Sequence, residues 1–420
     1  MAKKKGRKSA KHFQIENPHA VSSKRKRITD VIDPSYDFLV DRRRSRGAVN
    51  SSASQSPVLP ALHRTSLISA VVFVVIGAMP KYWMISDRNA GGAGTERNAN
   101  GPAYFVSDSK ADLHDIDNWE RIPFSQFRKA ITEACETFPD LPQDQQEEEK
   151  HLALCVHGYN NGFANSVDFY TRVCNGLFSG PSSLGICVLF TWPSKGQVYD
   201  YLADRAGARM CANDLADVLS SLYNVLARNQ AATAADPSKA CKAKVSIIAH
   251  SMGNFVTQIA LFNAWKRNNR PLATSLVNQL LMVAADVDND IFDSGEQIGD
   301  GGGEGIANLT YRVTAFYSGR DPVLGVSAGL KHFFKRRLGR SGLDRAAGTG
   351  RAATPDNVWD TDCSELFANN EGDIHGAYFK LDQYPAVKKL MHEVMRGVDR
   401  GVLVHQQLAP AKSWWPNKLP

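Results

Sequence analysis

The sequence lacks the cysteine patterns of disulfide-stabilised and zinc-binding proteins. Its seven cysteines are an odd number and contain no Cys-x-x-Cys pair, which argues against a disulfide framework and against a zinc site. Several of them, including Cys155 and Cys187, lie within apolar runs, where cysteine behaves as a small hydrophobic residue. This pattern favours a reducing compartment, and we expect a cytoplasmic protein.

Long apolar runs are also lacking. The longest, Leu67–Met79, has 13 residues, fewer than the roughly 18 that mark a membrane-spanning helix, and its valines and isoleucines favour a buried strand. An alternative stays open, because a span over residues 67–85 would be long enough, with Tyr82 and Trp83 as interfacial anchors. The run begins too late for a cleaved signal peptide.

Acidic and large apolar residues are scarce at the start of the chain. Residues 1–50 contain 14 Lys or Arg and five Asp or Glu, whereas the whole chain has a net charge of +7, so the basic excess belongs to this segment. We predict a disordered, solvated arm over residues 1–65. The alternatives are attraction to an anionic membrane surface, to nucleic acid or to an import receptor. Nucleic acid is disfavoured because the arm shows no interleaved aromatic residues or folded binding motif.

Beyond the arm, apolar strand-like runs alternate with segments of helical spacing. Residues 203–229, for example, predict a long helix. The alternation predicts an α/β fold with a mostly parallel central sheet and helices on both faces. We expect one domain over residues 66–400, since α/β folds often exceed about 250 residues as one domain. A C-terminal tail, 401–420, follows, and the basic segment 331–351 predicts a flexible insertion.

The segment Lys244–Asn254 has the form of a nucleophile elbow, in which a strand ends in a sharp turn with the nucleophile and a helix follows. The residues two before and two after the nucleophile must be small, because the strained turn brings them close to their neighbours. Ala249 and Gly253 meet this requirement around Ser251, although glycine is usual at both positions. The helix N-terminus would direct N–H groups at negative charge developing near the serine.

A second strand-like run ends at His157 and Gly158. A serine nucleophile of this kind needs an oxyanion hole, formed by an N–H from the loop after an early strand and the N–H of the residue after the nucleophile. We assign these donors to Tyr159 and Met252. Gly158 would let the chain pass close to the substrate carbonyl. An ordinary turn at a strand end is the alternative interpretation of this segment.

The acid and the base should follow the nucleophile in the order Ser, Asp or Glu, His. An alternating strand over residues 311–317 leads to a turn with Asp321, and His375 lies in a short glycine-flanked loop farther on. His375 would take the proton from Ser251, and Asp321 would hold the imidazole in the required tautomer. Asp286 is the alternative acid, because it also follows a buried strand.

Four segments of the chain form a recognisable set, of which Thr-Trp-Pro-Ser, placed after the apolar run 185–190, is the most distinctive and is hard to produce by chance. They are His157-Gly158-Tyr159-Asn160-Asn161, Phe190-Thr191-Trp192-Pro193-Ser194, Ala249-His250-Ser251-Met252-Gly253-Asn254 and Asp286-Val287-Asp288. Together they resemble the α/β-hydrolase family of unknown function known as DUF900, over roughly residues 80–395. The resemblance implies an α/β-hydrolase fold of the esterase or lipase type, and it implies no particular substrate.

The predicted function is hydrolysis of a carboxylic ester, or alternatively an amide, through an acyl-enzyme on Ser251. We expect a small-molecule or lipid ester as substrate, since many apolar residues surround the predicted site and the arm could reach a membrane. No metal or organic cofactor is implied. The alternative is a non-catalytic binding protein on the same fold, whose basic arm engages membrane or nucleic acid, because a fold does not determine a function.

Overall fold

The apolar, β-branched runs of the sequence form one nine-stranded sheet. In this computed structural model the described residues are 81–108, 112–139, 149–195, 200–235, 243–267, 275–292, 302–331, 335–344, 354–410 and 412–413. All of them belong to one compact unit, Val75–Pro420. The predicted arm, 1–65, and the apolar run 67–79 lie outside the described residues.

Most neighbouring strands run parallel. The strands are β1 (Tyr82–Ser86), β2 (Ala103–Ser107), β3 (Glu120–Ile122), β4 (Lys150–Val156), β5 (Gly185–Thr191), β6 (Ala243–His250), β7 (Val277–Val283), β8 (Thr310–Tyr317) and β9 (Val358–Asp362). Their order across the sheet is β3-β2-β1-β5-β4-β6-β7-β8-β9. The β1–β2 and β2–β3 pairs are antiparallel, and the other pairs are parallel. The mostly parallel sheet is confirmed, and it brings the C-terminal ends of β4, β6 and β8 to one edge.

Helices follow most of the strands. In the described part of the chain they are α1 (Phe124–Glu136), α2 (Phe163–Leu177), α3 (Tyr201–Ala235), α4 (Gly253–Arg267), α5 (Glu304–Leu309), α6 (Pro322–Val326), α7 (Leu338–Ser341), α8 (Ile374–Ala377), α9 (Pro385–Arg396) and α10 (Arg400–His405). A π-helical turn, Ser327–Lys331, continues α6. The long helix predicted over residues 203–229 is α3, which extends it at both ends.

Successive side chains of the strands enter two hydrophobic cores, because neighbouring residues of a strand point to opposite faces of the sheet. In β4, Leu152 and Leu154 belong to the core that contains residues of α1, α3 and α4. Ala153 and Cys155 belong to the core that contains residues of α2 and α9. Both faces of the sheet are therefore covered by helices, as the α/β-hydrolase fold requires.

Strand β1 includes residues that the membrane-anchored alternative assigns to a bilayer interface. Tyr82 pairs with Ser107 of β2, and Trp83 pairs with Val106 of β2 and Val188 of β5. Both aromatic side chains are buried, so the structure places them inside the sheet. Among the described residues, no helix combines the length and apolar character that crossing a membrane requires.

The packed structure continues past residue 400, where the sequence predicts the end of the domain. Helix α10 crosses this boundary, and its Leu403 is fully buried in the same core as α9. Farther on, the hydroxyl oxygens of Ser413 and Thr361 in β9 are 2.8 Å apart. Leu403 and Ser413, both within the predicted tail, therefore pack against the domain, one in a hydrophobic core and one beside β9.

One face of α3 is predicted to contribute much of the stability of the core that it shares with α1 and α4. Leu215 of this face is 0% exposed, whereas Leu202 at the start of the same helix is 70% exposed. Leu215→Ala should lower the free energy of unfolding by about 2–5 kcal/mol, because it leaves a cavity. Leu202→Ala should change it by less than about 0.5 kcal/mol. Urea denaturation followed by circular dichroism measures both, and equal effects would contradict the packing of α3.

Candidate active site

A left-handed turn at Ser251 joins β6 to α4. Its φ of +53° lies in a region that residues with a Cβ rarely adopt. Two backbone hydrogen bonds fix the turn. The Ser251 N–H donates to the Val283 carbonyl of β7 at 3.0 Å, and the Asp286 N–H donates to the Ser251 carbonyl at 3.1 Å. The predicted nucleophile thus stands in a strained strand-to-helix turn at the C-terminal edge of the parallel strands.

Small residues beside this turn allow a close approach to β4. A Cβ on Gly253 would lie 2.5 Å from the carbonyl oxygens of both Val156 and His157, which is closer than side chains come to backbone. Ala249 is fully buried, and its single methyl group fits where glycine is more usual. The requirement for small residues therefore arises from contact with the end of a neighbouring strand.

Asn254 braces the same turn from the first turn of α4. Its side-chain nitrogen lies 2.9, 3.2 and 3.3 Å from the carbonyl oxygens of Ala249, Ser251 and Val283. The side chain is buried, so these carbonyls replace water as its partners. Asn254 is part of one of the four distinctive segments of the sequence, but its role there is not predictable from the segment alone. The signal that could have indicated one is an amide within an otherwise apolar start of a helix.

His375 and Asp321 form a hydrogen-bonded pair. His375 lies in α8, and its Nδ1 is 2.7 Å from Oδ2 of Asp321. Asp321 is fully buried and caps α6, with Oδ1 accepting the Leu324 N–H at 3.0 Å. Arg340 donates to the backbone carbonyl of Asp321. Since the fixed carboxylate is an acceptor, Nδ1 of His375 carries the hydrogen, and Nε2 remains to accept a proton.

Burial and the pairing with Asp321 have opposite effects on the basicity of His375. Burial lowers the pKa of His375, but the hydrogen bond and the charge of Asp321 raise it, and the net pKa lies above the ordinary 6.5. The charge of Asp286 acts in the same direction. At neutral pH the pair therefore holds a histidine that gains a proton more readily than a free one.

His250 supports the backbone around His375. Its Nε2 donates to the His375 carbonyl at 3.0 Å, and its ring packs against Phe169 and Phe379, with centroid separations of 5.9 and 5.2 Å. Burial lowers the pKa of His250 to about 3, so it is neutral at physiological pH. Although His250 is the chain neighbour of Ser251, these contacts give it a packing role.

Asp286, the alternative acid, has other partners. Its carboxylate accepts hydrogen bonds at 2.7, 2.8 and 2.9 Å from the Tyr201 hydroxyl, the Ser327 hydroxyl and the Arg337 guanidinium. Burial raises the pKa of Asp286, but Arg337 and the hydroxyl donors lower it to about 2. In the described structure the His375 ring hydrogen-bonds to Asp321 and not to Asp286. The catalytic roles of both acids stay predictions.

Arg337 comes from the segment 331–351, which the sequence predicts to be a flexible insertion. The structure differs, because residues 335–344 are ordered and the Arg337 side chain is fully buried. Its guanidinium donates to the backbone carbonyl of Asp286 at 2.6 Å and also pairs with Asp288. A buried guanidinium requires such partners, and through Asp286 they anchor residues 335–344 beside the Ser251 turn.

The loop after β4, residues 157–161, lies against the same turn. A Cβ on Gly158 would be 2.7 Å from the Cβ of Ser251, so glycine permits this contact. Asn160 adopts a φ of +62°, which asparagine tolerates better than most residues. Within the described residues the Met252 N–H donates no hydrogen bond. The assignment of Tyr159 and Met252 to an oxyanion hole stays a prediction.

A buried polar network fixes the base of the 157–161 loop. The Nε2 of His157 accepts the backbone N–H of Trp192 at 3.1 Å, and the two rings stack with centroids 5.3 Å apart. Nδ1 therefore carries the hydrogen and donates to the Gly158 carbonyl at 2.9 Å. Burial lowers the pKa of His157 to about 3, which keeps it neutral. Arg88, two residues after the end of β1, donates to the Asn161 carbonyl at 2.9 Å.

These groups supply the parts of a nucleophilic site. They are a serine in a strained turn, a histidine with one nitrogen available for a proton, and a backbone loop in contact with the serine. The Ser251 hydroxyl makes no hydrogen bond within the described part of the chain, so its contact with Nε2 of His375 is not formed here. Across the described residues, no group of three or more His, Cys, Asp or Glu is arranged to hold a metal ion.

A family model and two solved structures are similar to this chain. The family model, described as an α/β hydrolase of unknown function (DUF900), matches residues 136–354, slightly more than half of the chain. The structures are a monoclinic form of the Pyrobaculum calidifontis esterase and a hyperthermophilic esterase from the same archaeon. Each is 13% identical with a TM-score of 0.30, and the matches cover 59% and 60% of this chain and 77% and 75% of theirs. No curated protein matches.

Replacing the partner of His375 should lower the pKa of the histidine. In Asp321→Asn the charge and the carboxylate acceptor are lost while burial remains, so the pKa should fall from above 6.5 to below it. An NMR titration of the imidazole measures this pKa. As a matched control, Asp168→Asn removes the partner 2.8 Å from the exposed His114, and should lower the pKa of His114 alone. An unchanged His375 pKa in Asp321→Asn would refute the pairing.

Proposed function

This chain belongs to the DUF900 family of α/β hydrolases of unknown function, and from that membership and its site geometry we propose that it is a serine hydrolase of carboxylic esters. One observation supports the proposal most directly. Ser251 stands in a left-handed turn at the sheet edge that also carries the hydrogen-bonded pair of His375 and Asp321. Nucleophile, base and orienting acid are the groups that acyl transfer through serine requires.

In the first step, the Ser251 hydroxyl attacks the ester carbonyl while Nε2 of His375 accepts its proton. The hydrogen bond from Nδ1 to Asp321 selects the tautomer that leaves Nε2 unprotonated, and the carboxylate stabilises the imidazolium that forms. The hydrogen bond between Ser251 and His375 then has to form with substrate present, as catalytic contacts commonly tighten only in the substrate complex. His375 next protonates the departing alcohol, and the acyl group remains on Ser251.

The negative charge on the carbonyl oxygen needs fixed donors. We assign the backbone N–H groups of Tyr159 and Met252, and the Met252 N–H, which donates no hydrogen bond to any described residue, supports this assignment. Removing one such donor typically costs about 10²- to 10³-fold in kcat. Water activated by His375 then attacks the acyl-enzyme, the acid leaves, and Ser251 regains its proton.

The proposed substrate is a small-molecule or lipid ester. The buried rings of Phe169 and Phe379 pack against His250, whose ring lies 4.8 Å from that of His375. The surroundings of the base are therefore apolar, which favours an apolar substrate group. The proposed membrane partner depends on the basic arm, which lies outside the described residues. Catalysis and membrane attraction are therefore separate proposals with separate tests.

Labelling with a fluorophosphonate probe tests for an activated serine. Wild-type protein should be labelled, Ser251→Ala should not, and His375→Ala should react at least about 10²-fold more slowly, because general-base assistance is worth about 10²- to 10⁴-fold. Ser221→Ala, in the exposed part of α3, is the matched control and should label like wild type. Absence of labelling in folded wild-type protein would contradict the hydrolase proposal and favour the non-catalytic binding protein.

Deleting residues 1–50 separates the arm from catalysis. The deletion removes 14 Lys or Arg, and should abolish binding to vesicles that contain anionic lipid, because each basic residue near such a surface contributes about 1 kcal/mol. Turnover of a soluble short-chain ester should stay within about twofold, since the site residues lie elsewhere. Vesicles of neutral lipid are the control. Unchanged binding to anionic vesicles would remove the arm as a membrane contact.

A further inference from the structure

A buried carboxylate behind the 157–161 loop has no role in the mechanism described so far. Asp204 lies in the first turn of α3, and its side chain is almost fully buried. It accepts hydrogen bonds from the Ser194 hydroxyl, from the Lys195 N–H at 2.9 Å and from the Asn160 N–H. Within the described residues no Lys or Arg forms an ion pair with Asp204, so these donors hold its carboxylate directly, while the buried guanidinium of Arg88 acts on it through its charge.

A chain of hydrogen bonds leads from Asp204 to the 157–161 loop. The Ser194 oxygen, whose hydrogen is donated to Asp204, accepts the Asn161 N–H at 3.3 Å. The Asn161 side-chain amide in turn donates to the Gly158 carbonyl at 3.2 Å. Each link fixes the orientation of the next, because a hydroxyl that donates in one direction has its lone pairs in the others.

The last link bears directly on the predicted oxyanion donor. The Gly158 carbonyl and the Tyr159 N–H belong to one peptide group, and in a planar trans peptide they point in opposite directions. The hydrogen bond that fixes the Gly158 carbonyl toward Asn161 therefore also fixes the direction of the Tyr159 N–H, on the opposite side of the peptide. The Asn160 N–H, bonded to Asp204, fixes the following peptide group in the same way. Both peptide planes that flank Tyr159 are thus held.

We propose that Asp204 is a positioning residue that, through Ser194 and Asn161, aims the Tyr159 N–H at the developing oxyanion. This inference rests on the proposed hydrolase function. Asn160 adopts a left-handed conformation, and the hydrogen bond from its N–H to Asp204 stabilises the loop in that conformation. Burial raises the pKa of Asp204, which is the expected effect of enclosing a carboxylate in the protein.

The test compares ground-state and transition-state binding in Asp204→Asn. An asparagine keeps the shape, but its NH₂ group would face one of three donors, so the loop shifts. We expect kcat for p-nitrophenyl acetate to fall about 10- to 100-fold, with KM within about threefold. The Ki of a trifluoromethyl ketone, which forms a tetrahedral adduct with an active serine, should rise by the same factor as kcat/KM falls.

A second variant keeps the test valid if Asp204→Asn does not fold. Asn161→Ala, at a partly exposed position, removes one of the two donors to the Gly158 carbonyl and leaves Nδ1 of His157 as the other. It should show the same parallel change in Ki and kcat/KM, of about tenfold. Asp217→Asn, an exposed residue of the same helix paired with Arg267, is the matched control and should change neither constant.

The outcomes separate this inference from the proposed function. Inactive, unlabelled wild-type protein would overturn the hydrolase function and the inference together. Active wild-type protein with a folded Asp204→Asn or Asn161→Ala variant whose Ki is unchanged would overturn the inference alone. The inference would also be overturned if kcat fell only in proportion to the fraction of unfolded protein while the Ki of the titrated active sites stayed the same. A purely structural role changes the amount of folded enzyme and not the properties of each active site.

Discussion

The close approach of the Ser251 turn to the ends of β4 and β7 is the constraint on which the site depends. A left-handed residue with a Cβ costs about 1–2 kcal/mol. The amide of Asn254 and the backbone bond to Val283 offset this cost, since each net hydrogen bond contributes about 0.5–1.5 kcal/mol. Because β6 lies between β4 and β7, both neighbours hold the turn. Glycine at 158 and 253 follows from that crowding.

The Thr-Trp-Pro-Ser segment is explained by the same crowding. The Thr191 hydroxyl accepts from Nε of Arg88 at 2.7 Å, and the Trp192 indole donates to the His157 carbonyl at 2.9 Å. Burial lowers the pKa of Arg88 to about 10, yet the guanidinium stays charged because carbonyl and hydroxyl acceptors surround it. Desolvating an ion costs several kcal/mol unless such acceptors compensate. Through these contacts the segment stiffens the 157–161 loop beside Ser251.

The parts predictable from the sequence are those set by local patterns. Apolar runs predicted the central strands, and the residues at the ends of those strands predicted where Ser251 and Asp321 would lie, because parallel strands end at one edge. Interactions between distant segments were not predictable. The basic composition around Arg337 predicted a flexible segment, because the sequence does not indicate that Asp286, 51 residues away, is its partner. Likewise, Arg88 meets the Asn161 carbonyl 73 residues later in the chain.

The first turn of α3 connects the nucleophile turn to the loop that faces it. Tyr201 donates to Asp286, whose own N–H holds the Ser251 carbonyl. Asp204, three residues later and so on the same face of the helix, holds the 157–161 loop. Asp286 thereby couples α3 to the Ser251 turn, and its carboxylate is held there by Arg337. Because one turn of α3 contacts both the support of Ser251 and the 157–161 loop, the packing of this helix fixes the two segments relative to each other.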